Sequence, residues 1–150
     1  MKYVSQSAQE TQHIAAGLAR ELIGLMKGAS HATVLALEGE LGAGKTTFVQ
    51  GFVRALGITR AVVSPTFLLM KRYQFRSGVL AGSVVHLDCY RLKDHRDLAP
   101  LELHEVFADP TNIVLIEWPD RAEKIAPRDH ITVNFVHAGG DTRTITVRKP

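Results

Sequence analysis

The sequence predicts a three-layer α/β domain with a mixed, mainly parallel central sheet plus antiparallel hairpins. Three observations carry this. Two short apolar runs without helical spacing, Thr33–Glu38 and Asn112–Glu117, read as strands buried on both faces. Helix-period segments alternate with them through the first part of the chain. Later segments alternate apolar and polar residues and read as hairpins with one solvated face.

Ser7 to Lys27 reads as an amphipathic helix, because Ile14, Leu18, Leu22 and Leu25 recur at spacings of four, four and three. Ser7 is its cap, Glu10 the return half of a capping box, and Gly28 the stop. Thr33–Glu38 follows as the first buried strand. A glycine-rich turn leads into a helix from Thr46 to Leu56, closed by Gly57. Ser64 to Tyr73 reads as a loop running into a strand. Gly82 to Leu87 reads as its antiparallel partner, with Ser77-Gly78 between them. Asp94 to Phe107 reads as a helix anchored by Leu98, Leu101 and Val106, with Pro100 in its first turn or at its start. Ile131–Val136 and Thr142–Val147 flank Ala138-Gly139-Gly140-Asp141 as a terminal hairpin.

A chain of 150 residues, 45% hydrophobic, is the size of one domain, 1–150, with a real core. Charged residues at 22% exclude the composition of long disorder. The net charge of +3 comes from scattered basic residues, which permits an acidic or nucleic-acid partner without pointing to one. The single cysteine, Cys89, excludes an internal disulfide and fits a reducing compartment. The polar N-terminus and the lack of a long apolar run predict a cytoplasmic protein with no membrane association. His13, His31, His95, His104, His130 and His137 fall at no metal-ligand spacing.

Chemistry concentrates in Gly39-Glu40-Leu41-Gly42-Ala43-Gly44-Lys45-Thr46, a full match to G-x-x-x-x-G-K-[ST] in strand–loop–helix context. Glycines let successive N–H groups curl around one anion, and the helix that starts there adds its positive end. Lys45 supplies a charge to the β- and γ-phosphates and Thr46 a hydroxyl to Mg²⁺, while Thr47 is in range of the α-phosphate. The fold expected is therefore that of a P-loop NTPase, binding ATP or ADP with Mg²⁺. A nucleotide hydrolase also needs a carboxylate at a neighbouring strand end. Glu117, after four apolar residues, is placed to ligate Mg²⁺, to hold a metal-bound water or to orient the attacking water; the alternative is a helix-capping acid. Asp88 reads as a metal ligand, a general base or a turn residue; it faces the γ-phosphate if its strand lies beside the phosphate-loop strand. Thr66, in Ser64-Pro65-Thr66, reads as a γ-phosphate sensor or part of a strand-leading turn. Trp118, the single tryptophan, reads on sequence alone as a large core or surface residue.

Four motifs in order, Gly39–Thr47, Ser64-Pro65-Thr66-Phe67, His86-Leu87-Asp88-Cys89-Tyr90-Arg91 and Ile116-Glu117-Trp118-Pro119, resemble the bacterial TsaE family, ATPases of tRNA threonylcarbamoyladenosine biosynthesis. Glu10-Thr11 and the stretch from Asp97-Leu98 to Phe107 resemble it too, so the likeness spans nearly the whole chain. It implies that the loop Glu40, Leu41, Gly42, Ala43, Gly44, Lys45, Thr46 and Thr47 binds ATP phosphates. Thr46 and Glu117 would hold Mg²⁺. Asp88, Thr66 and Trp118 would serve turnover or nucleotide sensing, and Thr11 would lie near the base or sugar. It implies TsaD and TsaB as partners, tRNA contact only through their complex, and ATP hydrolysis that resets that complex. The hairpin tip Gln74–Gly82 is long for the family, and Gly139–Arg143 matches its ending loosely. Two other functions compete: a small phosphotransferase, for which no arginine-rich lid stands out, and a GTP switch, for which the guanine-reading Asn/Thr-Lys-x-Asp element is missing.

Overall fold

The computed structural model describes residues 1–63, 69–122 and 125–150. The chain runs β1 (Lys2–Ser5), α1 (Ala8–Met26), β2 (Thr33–Glu38), α2 (Lys45–Ala55), β3 (Met70–Ser77), β4 (Leu80–Asp88), a 3₁₀ turn (His95–Leu101), α3 (Leu103–Ala108), β5 (Asn112–Glu117), a second 3₁₀ turn (Pro119–Ala122), β6 (Ile131–His137) and β7 (Arg143–Arg148). One seven-stranded sheet takes the order β1-β7-β6-β2-β5-β4-β3. Its centre, β6-β2-β5-β4, is parallel, and the antiparallel pairs β3–β4, β6–β7 and β1–β7 extend it at both sides. The hairpins are thus continuous with the central sheet.

Burial on both faces follows from strand periodicity. Leu35, Leu37, Ile113 and Leu115 pack on one side with Leu18 and Leu22 of α1 and Phe48 and Phe52 of α2. Val34, Val85, Leu87, Val114 and Ile116 pack on the other with Val106 of α3 and Ala122. Three layers result, as expected. Ser7 accepts a hydrogen bond from the Glu10 N–H at 3.1 Å. The Glu10 carboxylate reaches back one residue further than a capping box requires, to the Gln6 N–H at 2.6 Å. Past α2, Gly57 at φ +79° lets the Ile58 N–H bond the Val53 carbonyl at 3.2 Å, which ends the helix as Gly57 predicts.

Several elements depart from expectation. Asp94–Phe107 is not one helix: it divides at Glu102, at φ +50°, into the first 3₁₀ turn and α3. Asp94 caps that turn, which puts Pro100 well inside it, where proline removes a donor and bars the α conformation before it. Gln74–Gly82 is no long tip, because the ladder continues to Ser77↔Leu80 and leaves only Gly78-Val79 to turn. β1 has no counterpart in the sequence reading; four residues are too short for a periodic signal. Among the described residues no helix is long and apolar enough to cross a membrane.

Candidate functional site

β2 ends at Glu38 and α2 begins at Lys45, so the glycine loop stands at the C-terminal edge of the parallel sheet. Gly39 must be glycine: a Cβ there would lie 2.6 Å from the Phe135 carbonyl oxygen of β6. Gly44, at φ +106°, caps α2 without a side chain, which leaves the first-turn N–H groups of the helix to the loop's concave side. Ala43 is buried beneath the loop and donates its N–H to the Glu40 carbonyl at 3.1 Å.

The Lys45 ammonium donates to the carbonyls of Gly39 and Glu40 and lies 4.0 Å from the centroid of the Trp118 ring. Desolvation pulls its pKa below the usual lysine range, against the opposing pull of Glu117, Asp88, Glu40 and Asp120. A cleft of about 530 Å³ opens beside it and brings together Leu41, Gly42, Gly44, Lys45, Thr46, Thr47, Asp88, Glu117 and Trp118. Thr11 lies outside it, in an adjoining recess of about 140 Å³ with Gly42, Gly44 and Thr47, where its hydroxyl is 2.8 Å from that of Ser5. Thr66 lies outside the described residues.

Two strand ends deliver the carboxylates. β4 is not beside β2, the strand that leads into the glycine loop: β5 intervenes, paired in parallel with both. The register Asp88↔Glu117 still sets the two acids side by side at the sheet's C-terminal edge. Asp88 accepts the Tyr90 N–H at 3.0 Å. Glu117 is buried, and its Oε2 is 2.7 Å from His86 Nε2. Trp118 takes φ +56°, a left-handed conformation that costs roughly 1–2 kcal/mol in a bulky residue. Its ring lies 5.0 Å from that of Tyr90. The Arg121 guanidinium stands 5.1 Å from the Tyr90 ring and 5.7 Å from that of Trp118. Trp118 is thus a cleft residue rather than the plain core or surface residue that sequence alone suggests.

Sequence reasoning missed His86, Arg121 and Arg143. His86 carries a findable signal, since period two along β4 puts it on the same face as Asp88. Arg143 joins the Thr11 recess together with Asp141, and its guanidinium is 3.4 Å from the Gly42 carbonyl. The loosely matching C-terminal segment therefore reaches the glycine loop. Arg121 and Arg143 are brought in by tertiary placement alone.

Fold and cleft define the class, an α/β protein in which a glycine-rich loop joins a central parallel strand to a helix N-terminus. The family model described as threonylcarbamoyl adenosine biosynthesis protein TsaE matches residues 5–145, and the chain belongs to that family. It is 44% identical over 113 residues to the tRNA threonylcarbamoyladenosine biosynthesis protein TsaE of Bacillus subtilis, covering 75% of this chain and 67% of that one. The TsaE of Treponema pallidum is 33% identical over 147 residues, 98% of this chain and 99% of its own. The crystal structure of Bacillus subtilis YdiB superposes with a TM-score of 0.74 at 36% identity, covering 99% of this chain and 84% of that one.

Proposed function

We propose that this chain is a Mg²⁺-dependent ATPase that serves threonylcarbamoylation of adenosine 37 in tRNAs reading ANN codons, its hydrolysis resetting a TsaB–TsaD complex. The observation that carries the reading is the convergence of Lys45, Thr46, Asp88 and Glu117 on one cleft at the N-terminus of α2. Loop amides and the helix end suit a polyphosphate. A buried ammonium suits the charge on its outer oxygens, and its desolvation strengthens that attraction.

The donor set fits magnesium, because Thr46, Asp88 and Glu117 present oxygens and, among the described residues, no sulfur or imidazole lines the cleft with them. Thr46 and Glu117 would hold the ion. Once bound, it would neutralise charge on the β- and γ-phosphate oxygens. Hydrolysis breaks the bond between the γ-phosphorus and the bridging oxygen as water attacks in line, giving ADP and inorganic phosphate. Asp88, opposite Glu117 at the same sheet edge, would orient that water or take its proton. Trp118, over Lys45, would shield the ammonium from solvent. The family's place in tRNA modification supports TsaB and TsaD as partners, with tRNA met only through their complex.

The test is phosphate release by the purified chain, alone and with TsaB–TsaD. Weak release that the partners raise and Lys45→Ala abolishes is expected. Release that is indifferent to the partners removes the resetting role, and wild-type release by Lys45→Ala removes the assignment of the loop.

A further inference from the structure

We propose that His86 positions the Glu117 carboxylate, donating Nε2–H to Oε2 and so presenting Oε1 to the magnesium-bearing side of the cleft. The inference rests on the reading of Glu117 as a metal ligand. Its basis is geometric. The pair is 2.7 Å apart and almost wholly out of solvent, with exposures of 0% for His86 and 3% for Glu117. A carboxylate held in such a place without a donor is costly, and among the described residues His86 is its side-chain partner. The backbone supplies the alignment. His86 opposes Leu115 and Asp88 opposes Glu117 in the parallel β4–β5 ladder, so His86 lies one pleat behind the two acids on the same face. The imidazole is fully buried on the inner strand β4, flanked by β3 and β5, so it cannot swing away to solvent.

The other ring nitrogen strengthens the case. Nδ1 is buried and, among the described residues, has no hydrogen-bond partner. A buried histidine kept only for packing would be better replaced by an apolar side chain, because an unpaired polar nitrogen costs free energy that leucine would not. The imidazole keeps that cost in exchange for a donor at Nε2. Groups that hydrogen-bond a metal-ligating residue from behind fix its orientation, and their loss typically weakens metal binding about 10- to 100-fold.

Three variants test the proposal. The amide nitrogen of His86→Gln reaches the place of Nε2, that of His86→Asn falls short, and Glu117→Gln removes the ligand charge. ADP affinity is read from Trp118 fluorescence, in EDTA and across a Mg²⁺ titration, alongside ATP turnover. His86→Asn should raise the Mg²⁺ concentration for half-saturation about 10-fold or more. It should leave ADP affinity in EDTA near wild type, and His86→Gln should restore most of the loss. Equal Mg²⁺ dependence in the Asn and Gln variants overturns the positioning role. If Glu117→Gln itself leaves Mg²⁺ dependence unchanged, the reading of Glu117 falls, and this inference with it. A change confined to the His86 variants' melting temperatures also overturns it. Should His86→Asn fail to fold, the ¹⁵N spectrum of the histidine-labelled wild-type protein decides. A hydrogen on His86 Nε2 that shifts in Glu117→Gln upholds the proposal, and a bare Nε2 overturns it.

Discussion

Replacing Gly51 by alanine should destabilise this protein, although the same change in an open helix stabilises. Glycine inside a helix costs about 1 kcal/mol relative to alanine, so propensity favours the substitution. Packing opposes it. A Cβ at Gly51 would stand 2.4 Å from the Gln12 Cα, 2.5 Å from its carbonyl oxygen and 2.8 Å from its Cβ. Carbon atoms rest at about 3.5–4.0 Å, so α1 must retreat from α2 by roughly 1 Å. The obstructing atoms are backbone, which no rotamer change relieves. Overpacking of this kind typically costs about 1–3 kcal/mol after partial relaxation. Less the helix gain of about 1 kcal/mol, the net loss is up to about 2 kcal/mol, so at roughly 2–4 °C per kcal/mol for a chain of this size the midpoint should fall by up to about 8 °C. Gly24→Ala is the internal control, since that residue is exposed on α1 and a Cβ there meets nothing within 4 Å. Its midpoint should rise by roughly 2–4 °C. Differential scanning calorimetry on the three proteins decides. A Gly51→Ala midpoint that rises as the Gly24→Ala midpoint does refutes the close crossing of α1 and α2. Because Thr11 lies beside Gln12 and its Cγ2 is within 4.0 Å of a Cβ built at Gly44, the retreat should also weaken nucleotide binding.

Cys89 gives a pH prediction. Burial first, then Asp88 and Asp120, push its thiol up to about 12. The unfolded thiol ionises near about 8.5. Between these values the unfolded chain holds fewer protons than the folded one, so stability falls as pH rises, by up to ~1.4 kcal/mol per unit. Urea denaturation at several pH values above 8.5 should show a steeper decline for wild type than for Cys89→Ala; parallel slopes would contradict the buried thiol. For the acids, Glu117→Ala should spare nucleotide binding more than turnover, read by calorimetric titration beside phosphate release. Unchanged turnover in that variant with loss in Asp88→Ala would transfer the metal role to Asp88.

Much of this was legible because local rules and global packing agree. Thr33–Glu38 and Asn112–Glu117 were readable to their termini, since a strand buried on both faces leaves no polar position to blur the run. The glycine loop was readable because φ above zero at Gly42 and Gly44 and the approach of Phe135 to Gly39 admit few other residues. Asp94–Phe107 failed because proline within an apolar period lets a 3₁₀ turn and a short helix share one pattern. His86 escaped notice because its partner lies 31 residues away, and only the β4–β5 register pairs them. Arg121 and Arg143 carry no local signal, since an arginine's sequence surroundings do not say which ring or carbonyl it will meet.

The position of β2 bears on how the chain is made. Its two neighbours, β5 and β6, both leave the ribosome long after it, so the strand that carries the glycine loop waits unpaired while about half of the chain is synthesised. Closing it into the sheet requires contacts between Leu35 and Leu115 and between Leu35 and Ile131, which slow folding as distant pairings do. A nascent chain halted before β6 has the complete loop sequence but only one side of its scaffold. Competence to grip an anion should therefore arise late in synthesis, with the strand that passes Phe135 behind Gly39.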